Sequence, residues 1–307
     1  MSEGSYSVRH IWVAVEIGSA YLEHLTDADL SILGATLGAP TDDASAYLRT
    51  HPELVEDTLG SRSAFERVLG GGARDDLLVH ASPFLIFGVA VHRAVHELGH
   101  TRFVEERIGP RMRVPVFDAG QLREFGVDPA RRYFLVEHLA SYTRVMSGPV
   151  WVRRRNRWRR QRFSELDAAR LAATLDAVAE ADRPGIYRRL GDLALFLTGV
   201  FPDHAAARPV RPIELERLVR SLPTTAGPSP TIGDVEQLAG ARGAAGVLEW
   251  FGPRWYRAAA DRTPISGLSR LLDDLAARFD QARRFLNHLT DRYLYPVRTR
   301  WFPTMDG

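Results

Sequence analysis

Apolar residues recur three and four positions apart along most of the chain, which is the spacing of helices with one buried face. Segments rich in polar residues, glycine or proline separate these patterns and divide the chain into many helices. The clearest helical patterns cover Ser5 to Leu25, Asp182 to Phe201, Asp234 to Ala260 and Ser266 to Tyr293. The stretch from Pro223 to Pro230 contains three prolines and predicts a linker or a long loop.

The most apolar stretch of the chain runs from Asp75 to about Ile108 and predicts a buried central helix. Pro83 fits the first turn of this helix, where its missing N–H is not needed, and Gly109-Pro110 fits its end. If the helix is central to the fold, its apolar side chains are inside the protein. We therefore expect five of them to be largely buried: Phe84, Phe87, Val91, Val95 and Leu98.

A different pattern follows the helix that Asp128-Pro129 is expected to start, with aspartate as the cap and proline in the first turn. Between Val150 and Phe163 the helical period disappears, and the segment predicts two short strands about Asn156-Arg157. The predicted fold is therefore mainly α, a multi-helix bundle with one small inserted β-hairpin. The expected regions are an N-terminal helical region over 1–149, an arginine-rich hairpin over 150–163 and a C-terminal helical region over 164–307.

Composition limits the kinds of site that the chain can hold. The 307 residues include no cysteine, so disulfides and thiolate metal sites are excluded and any metal must be bound by His, Asp or Glu. The N-terminal segment has no pattern of a secretory signal, and the longest apolar run, Phe84 to Val91, is too short to cross a bilayer. We expect a cytoplasmic protein without a membrane partner. All 40 basic residues are arginine, but the formal net charge is only +2, so the whole chain does not present a strong basic field.

The sharpest chemical signal is the sequence His96-Glu97-Leu98-Gly99-His100. On a helix, two histidines four positions apart lie on one face and can bind the same Zn²⁺ ion. Glu97, next to the first histidine, can then take a proton from a metal-bound water. This arrangement is what metal-dependent hydrolysis requires.

HELGH resembles the zinc-binding helix of the zincin metallopeptidases. The metzincin subclass would have glycine and histidine at the positions of Phe103 and Glu106, so that subclass is excluded. A gluzincin-like arrangement takes its third ligand from a downstream helix. The resemblance then implies Glu137 as the third zinc ligand, beside His96 and His100, and Glu97 as the catalytic base.

The same helix permits two other interpretations. Glu97 and His100 form the Glu-x-x-His pair of helical-bundle di-iron sites, although such a site needs a second pair that the sequence lacks. Partners for a di-iron site would come from Glu16, Glu137, and either His288 or Asp291. In the other interpretation no metal binds, and His92, His96 and His100 are partly buried, hydrogen-bonded groups of a structural helix.

The predicted hairpin carries a second chemical signal, because seven arginines are interspersed with three aromatic residues between positions 151 and 163. Such a ribbon can follow a phosphate backbone and stack on bases, or it can bind an acidic protein. A solvated hairpin without a partner fits the same residues. The candidate binding residues are Arg153, Arg155, Arg157, Trp158 and Arg159.

Part of the chain is similar to bacterial all-helical proteins that have no assigned activity. The similarity rests on the segment from Tyr187 to Pro202 and on the Gly252-Pro253-Arg254-Trp255-Tyr256-Arg257 segment, and it supports a helical fold. Two functions remain open. One is a zinc-dependent hydrolase centred on HELGH, and the other is a non-catalytic interaction protein that uses the basic hairpin.

Overall fold

The structure is a computed structural model that describes residues 16–37, 41–70, 80–109, 112–144, 147–154, 157–164, 166–223, 230–294 and 301–302. Most of these residues are helical, and the predicted mainly α fold with a small inserted β-hairpin is confirmed. The chain forms two compact units. The first contains the described residues within 1–104, 116–143 and 288–302, and the second those within 105–115 and 144–287. The three regions expected from the sequence stay a prediction about domain organisation.

In its described part the first unit contains a π-helical turn, Thr290–Leu294, and eight α-helices with one 3-10 turn among them. They are α1 (16–24), α2 (Asp27–Gly34), α3 (Thr41–Thr50), the 3-10 turn Pro52–Leu54, α4 (Val55–Gly60), α5 (Arg62–Val68), α6 (Pro83–Leu98), α7 (Ala119–Gly126) and α8 (Pro129–Ser141). Helix α8 starts as predicted, because the Asp128 side chain accepts a hydrogen bond from the Arg131 backbone N–H at 3.0 Å. The part of the predicted first helix that precedes residue 16 lies outside the described residues.

Helix α6 is the predicted central helix, and its start is confirmed. The Ser82 hydroxyl accepts a hydrogen bond from the Leu85 N–H, and Pro83 is the first helical residue. Four of the five apolar side chains expected in the core are buried, and Val95 is half-buried. This helix therefore lies in the core of the first unit.

The predicted end of α6 at Gly109-Pro110 is wrong, because the helix ends at Leu98. The N–H groups of Gly99 and His100 bond to the carbonyls of His96 and Glu97, at 3.2 and 2.9 Å. The Thr101 hydroxyl also donates to the Glu97 carbonyl. The last helical carbonyls are thus satisfied locally, and polar residues after Leu98 give the helix no apolar face to continue.

The second unit contains two small sheets. Strand β1 (Val104–Gly109) is paired with β2 (Met112–Val116), and β3 (Ser147–Arg154) with β4 (Arg157–Ser164). The second pair is the predicted hairpin. Sequence analysis missed the first pair, because the predicted central helix covered the chain to about Ile108 and because Pro115 argues against a strand interior.

The helices of the second unit follow the hairpin. They are α9 (Ala168–Ala172), α10 (Arg183–Val200), α11 (Pro202–Ala207), α12 (Pro212–Ser221), α13 (Ile232–Ala260), α14 (Ser266–Ala277) and α15 (Phe279–Leu289). The helix predicted from Ser266 to Tyr293 is divided at Arg278, whose φ of −114° and ψ of 24° are not helical. Most of the predicted linker, residues 224–229, lies outside the described residues.

Helices α10 and α13 pack closely in the core of this unit. A Cβ atom at Gly191 would lie 2.7 Å from the Tyr256 ring, so only glycine fits at this contact. The Tyr256 hydroxyl donates a 2.8 Å hydrogen bond to the Asp192 carboxylate beside it. The glycine thus lets a buried polar pair form between two apolar helices.

Helix α13 is the longest helix of the described chain, and it is kinked. Arg242 and Gly243 leave the helical conformation, and Gly243 has a φ of 59°. A Cβ atom there would lie 2.2 Å from the Ala206 carbonyl oxygen, so glycine is required. Across the described ranges, no helix combines the length and the apolar character that a membrane span needs.

Candidate functional sites on the HELGH helix and the arginine-rich hairpin

Helix α6 carries a buried polar cluster on its inner side, which we call the His92 cluster: Tyr21, Glu56, His92 and Arg132. The His92 Nε2 atom lies 3.3 Å from the Tyr21 hydroxyl and 3.8 Å from a Glu56 oxygen. Arg132 donates to the same Glu56 oxygen from Nε at 3.2 Å and from a terminal nitrogen at 2.9 Å. Each polar group of the cluster therefore has a partner inside the first unit.

Burial determines the protonation state of His92, whose side chain is only 8% exposed. Burial first, and then the nearby Arg132 cation, lower the pKa of His92 to about 3. The imidazole is neutral at physiological pH, so its approach to Glu56 is not an ion pair, and Arg132 is the cation that neutralises that carboxylate. Burial also raises the pKa of Tyr21, which keeps its hydroxyl protonated and able to donate to His92.

Glu97, the predicted catalytic base, is held by two arginines of the first unit. Arg93, one helical turn earlier, bonds to one carboxylate oxygen from Nε at 3.1 Å and from a terminal nitrogen at 3.0 Å. Arg292 approaches the other oxygen at 3.4 Å. The Tyr293 hydroxyl lies near the carboxylate without full hydrogen-bond geometry. The carboxylate is thus fixed in a small ionic network.

The charges around Glu97 decide its basicity. Partial burial acts to raise the pKa of Glu97, but Tyr293, Arg292 and Arg93 together outweigh it, and the pKa lies below its usual value. A general base works best with a pKa near the working pH, so this change makes Glu97 a weaker proton acceptor. The network suits a structural carboxylate better than a catalytic one.

The three predicted zinc ligands lie in different structural surroundings. His96 is in the last turn of α6, His100 is beyond the helix end, and both are exposed, with ring centres 5.2 Å apart. Glu137 is half-buried on α8. All three are among the described residues, and within that set no three His, Asp or Glu side chains form a group that could bind a metal ion. The structure brings the two histidines together and does not add Glu137 to them.

The partners expected for a di-iron site are also dispersed. His288 lies near enough to Glu97 for the carboxylate to act on its pKa, although burial is the larger effect and lowers that pKa. Glu16 is exposed on α1 and does not belong to any three-ligand group of the described chain. Zinc, di-iron and the absence of a metal all remain predictions about this helix.

The backbone of the arginine-rich hairpin defines two faces. The strands are antiparallel, with Arg153 opposite Trp158, Trp151 opposite Arg160 and Pro149 opposite Arg162. Opposite residues share a face, and successive residues of a strand alternate between faces. One face, which we call the tryptophan face, therefore carries Trp151, Arg153, Trp158, Arg160 and Arg162.

The opposite face also has three arginines but no tryptophan. It carries Val150, Val152, Arg154, Arg157, Arg159 and Phe163. Of the predicted binding residues, Arg153 and Trp158 share the tryptophan face, whereas Arg157 and Arg159 are on the other. Arg155 lies outside the described residues. The register thus separates residues that sequence analysis had grouped.

Sequence reasoning missed the His92 cluster. Tyr21, Glu56 and Arg132 are far apart in the chain, and no short motif connects them. The available signal was the position of His92 among apolar residues of a buried helix, where a polar side chain needs a partner. The partners themselves follow only from the packing of α1, α4 and α8 against α6.

Comparison with known proteins does not assign the chain to a family. No protein-family model matches the chain, and searches of curated proteins and of solved structures find no match. The function must therefore be inferred from the contacts, the burial and the register described above.

Proposed function

We propose that this protein is a non-catalytic interaction protein that binds single-stranded nucleic acid through the tryptophan face of its hairpin. The register of β3 and β4 carries the proposal, because it puts Trp151 and Trp158 on the same face as Arg153, Arg160 and Arg162. Stacking on aromatic side chains together with arginine contacts to phosphates is the usual way of binding single strands without sequence preference.

The positions of the two tryptophans support this function. Trp151 and Trp158 occupy diagonal positions of the antiparallel pair, which are roughly 7 to 8 Å apart between backbones. Neighbouring bases of one strand can reach both positions. Arg160 is directly opposite Trp151 and Arg153 is directly opposite Trp158, so each aromatic position has a cation next to it for the adjoining phosphate.

The test is the binding of a fluorescently labelled single-stranded oligonucleotide, followed by anisotropy at low salt. Trp158→Ala should weaken binding about 5-fold or more, since one base–aromatic stack contributes about 1 to 3 kcal/mol. Phe163→Ala is the matched control, because it removes an aromatic residue from the opposite face. Absence of binding by the wild type, or an equal effect of the two changes, would refute the proposal. Binding of polyglutamate with similar strength would indicate an acidic protein partner instead.

The zinc-dependent hydrolase is a second proposal, favoured by the exposed His96 and His100 with ring centres 5.2 Å apart. In this proposal the two histidines and Glu137 hold the ion, and Glu97 accepts a proton from the attacking water. Metal analysis after expression with added zinc tests it. Stoichiometric zinc that is lost in His96→Ala and kept in Glu97→Gln supports the hydrolase, and wild-type protein without zinc rejects it.

A further inference from the structure

The second unit contains a cavity of about 340 Å³ that is independent of the hairpin. Helices α9, α10 and α12 and the chain after α9 contribute its walls. The residues that determine its chemistry are Asp176, Arg183, Tyr187, Arg217, Arg220 and Ser221. We call it the Arg217 cavity. Its volume is in the range of small-molecule sites.

The charge of this cavity is unbalanced. Three arginines line it and only one carboxylate, that of Asp176. Neither Arg217 nor Arg220 has a hydrogen bond or an ion pair with any residue that the structure describes. Two arginines without counterions on one concave surface attract an anionic ligand.

Arg183 adds an unsatisfied donor to the same place. One of its terminal nitrogens pairs with Glu180, but its Nε atom is buried and has no hydrogen-bond partner in the described chain. A buried donor without a partner is costly. Arg183 is also the first residue of the 18-residue helix α10, which has no capping side chain, so the helix dipole adds positive potential there.

Tyr187 and Ser221 provide neutral polar groups beside the arginines. Burial raises the pKa of Tyr187 in spite of nearby Arg262 and Arg183, so the phenol is protonated at physiological pH. Ser221 is held in place, since its hydroxyl donates to the Leu218 carbonyl and accepts from the Trp255 indole. The wall is therefore rigid on the α12 side.

From these observations we propose that the Arg217 cavity binds the phosphate group of a small phosphate monoester. Guanidinium groups bind phosphate oxygens in pairs, and Arg217 and Arg220, both without counterions, can together neutralise a dianion that one arginine cannot. A phosphate diester, as in a nucleic-acid chain, has a single negative charge and two bulky substituents. The dianionic monoester is the better match to the two arginines without counterions in a cavity of this size.

A second cavity of the same unit differs from the Arg217 cavity in how its arginines are paired. That cavity, of about 410 Å³, is also lined by arginines, but these are already paired. Arg242 makes two bonds to Glu249, at 2.5 and 3.0 Å. Arg283 is buried among Asp280, Glu106 and Glu249. Paired arginines provide structure, whereas Arg217 and Arg220 of the Arg217 cavity are available to a ligand.

The proposal is tested by calorimetric titration of the full chain with inorganic phosphate and with phenyl phosphate, at constant ionic strength set by sodium chloride. Arg217→Gln and Arg220→Gln should each weaken binding about tenfold, because each removes charge-assisted hydrogen bonds. Arg257→Gln is the matched control. It removes an exposed helical arginine of the same unit that does not line the cavity, and it should bind like the wild type.

Two further measurements test whether the ligand must be a dianionic monoester. Dimethyl phosphate, a monoanionic diester, should bind at least tenfold more weakly than phenyl phosphate, and monoester binding should weaken below about pH 6, where the ligand becomes a monoanion. These arms need no variant and do not depend on the stability of any substitution. Binding no tighter than that of chloride, or equal weakening in Arg257→Gln, would overturn the proposal. An oligonucleotide that competes as well as phenyl phosphate would do the same.

Discussion

The His92 cluster and the Arg217 cavity both contain arginine beside a few polar residues, yet they differ in how their charges are satisfied. In the His92 cluster, Arg132 makes two contacts to Glu56 and donates to the backbone carbonyl of Val127 at 2.9 Å. In the cavity, Arg217 and Arg220 have no partner among the described residues. The two sites contain similar residues, but only the Arg217 cavity has arginines without partners that could bind a ligand.

The difference shows how to separate structural from functional polar groups in a chain whose only basic residue is arginine. Buried charges must be paired, since an unpaired buried ion costs several kcal/mol. A fully paired group therefore reports on the stability of the fold. Arg217 is half-buried and Arg220 is exposed, and two such cations without partners on a concave surface favour an anionic ligand. By this criterion Glu97, which is paired with Arg93 and Arg292, is a structural group, whereas the Arg217 cavity is a candidate binding site.

The largest expected effect comes from breaking the His92 cluster. Arg132→Met leaves the Glu56 carboxylate buried without its cation, and should lower the free energy of unfolding by about 3 to 5 kcal/mol. Arg220→Met, which removes an arginine without a partner, should change it by less than about 0.5 kcal/mol. Urea denaturation of both variants measures the contrast. Similar losses in the two would show that partnering does not distinguish these sites.

The second-largest expected effect concerns the pH dependence of the free energy of unfolding. His92 has a pKa of about 3 in the folded protein, whereas an unfolded chain binds a proton there below about pH 6.5. Between these values the unfolded state holds more protons, so the free energy of unfolding falls as the pH falls. The fall attributable to His92 should be about 2 kcal/mol from pH 6.5 to pH 5.

The control for this pH dependence is His92→Gln, which keeps a polar partner for Tyr21 and cannot be protonated. The difference in stability between wild type and variant should shrink or reverse steadily as the pH decreases over this range. Parallel pH profiles from urea titrations would mean that His92 is not the buried neutral group described above.

The smallest effect concerns Glu97. Its ion pairs with Arg93 and Arg292 are partly exposed, and such pairs contribute little, so Glu97→Gln should lower the free energy of unfolding by less than about 1 kcal/mol. Thermal denaturation measures this change. A loss as large as that of Arg132→Met would place Glu97 in the core network and remove the distinction between the buried and the peripheral ends of α6.

Much of the helical architecture could be predicted from local sequence. Pro83 and Asp128-Pro129 mark helix starts because the rules for caps and first turns depend on neighbouring residues alone. The hairpin followed from the loss of the helical period after Val150. The end of α6 was misjudged because apolar residues resume at Phe103 and Val104 after a short polar interruption, and the pattern does not show that a strand begins at Val104.

The candidate sites were less accessible to sequence analysis. HELGH is recognisable in the sequence as a metal-binding motif. The pattern does not show that Arg292, which is distant in the chain, binds Glu97. Arg217 and Arg220 look like any other arginines, and their significance depends on the absence of partners, which only packing can establish. The register of the hairpin, which separates Arg153 from Arg157 and Arg159, likewise required the strand pairing.

The central claim, that the tryptophan face of the hairpin binds single-stranded nucleic acid, is tested most directly by two matched triple variants. One carries Arg153→Gln, Arg160→Gln and Arg162→Gln, and the other carries Arg154→Gln, Arg157→Gln and Arg159→Gln. Both lose three charges from the same hairpin. Oligonucleotide affinity should be measured for each over a range of salt concentrations. The first variant should bind weakly, with a slope of log affinity against log salt reduced by about two, because each lost phosphate contact removes about 0.7. The second should keep most of the wild-type affinity and slope. Equal losses in the two variants, or no binding by the wild type at low salt, would contradict the account.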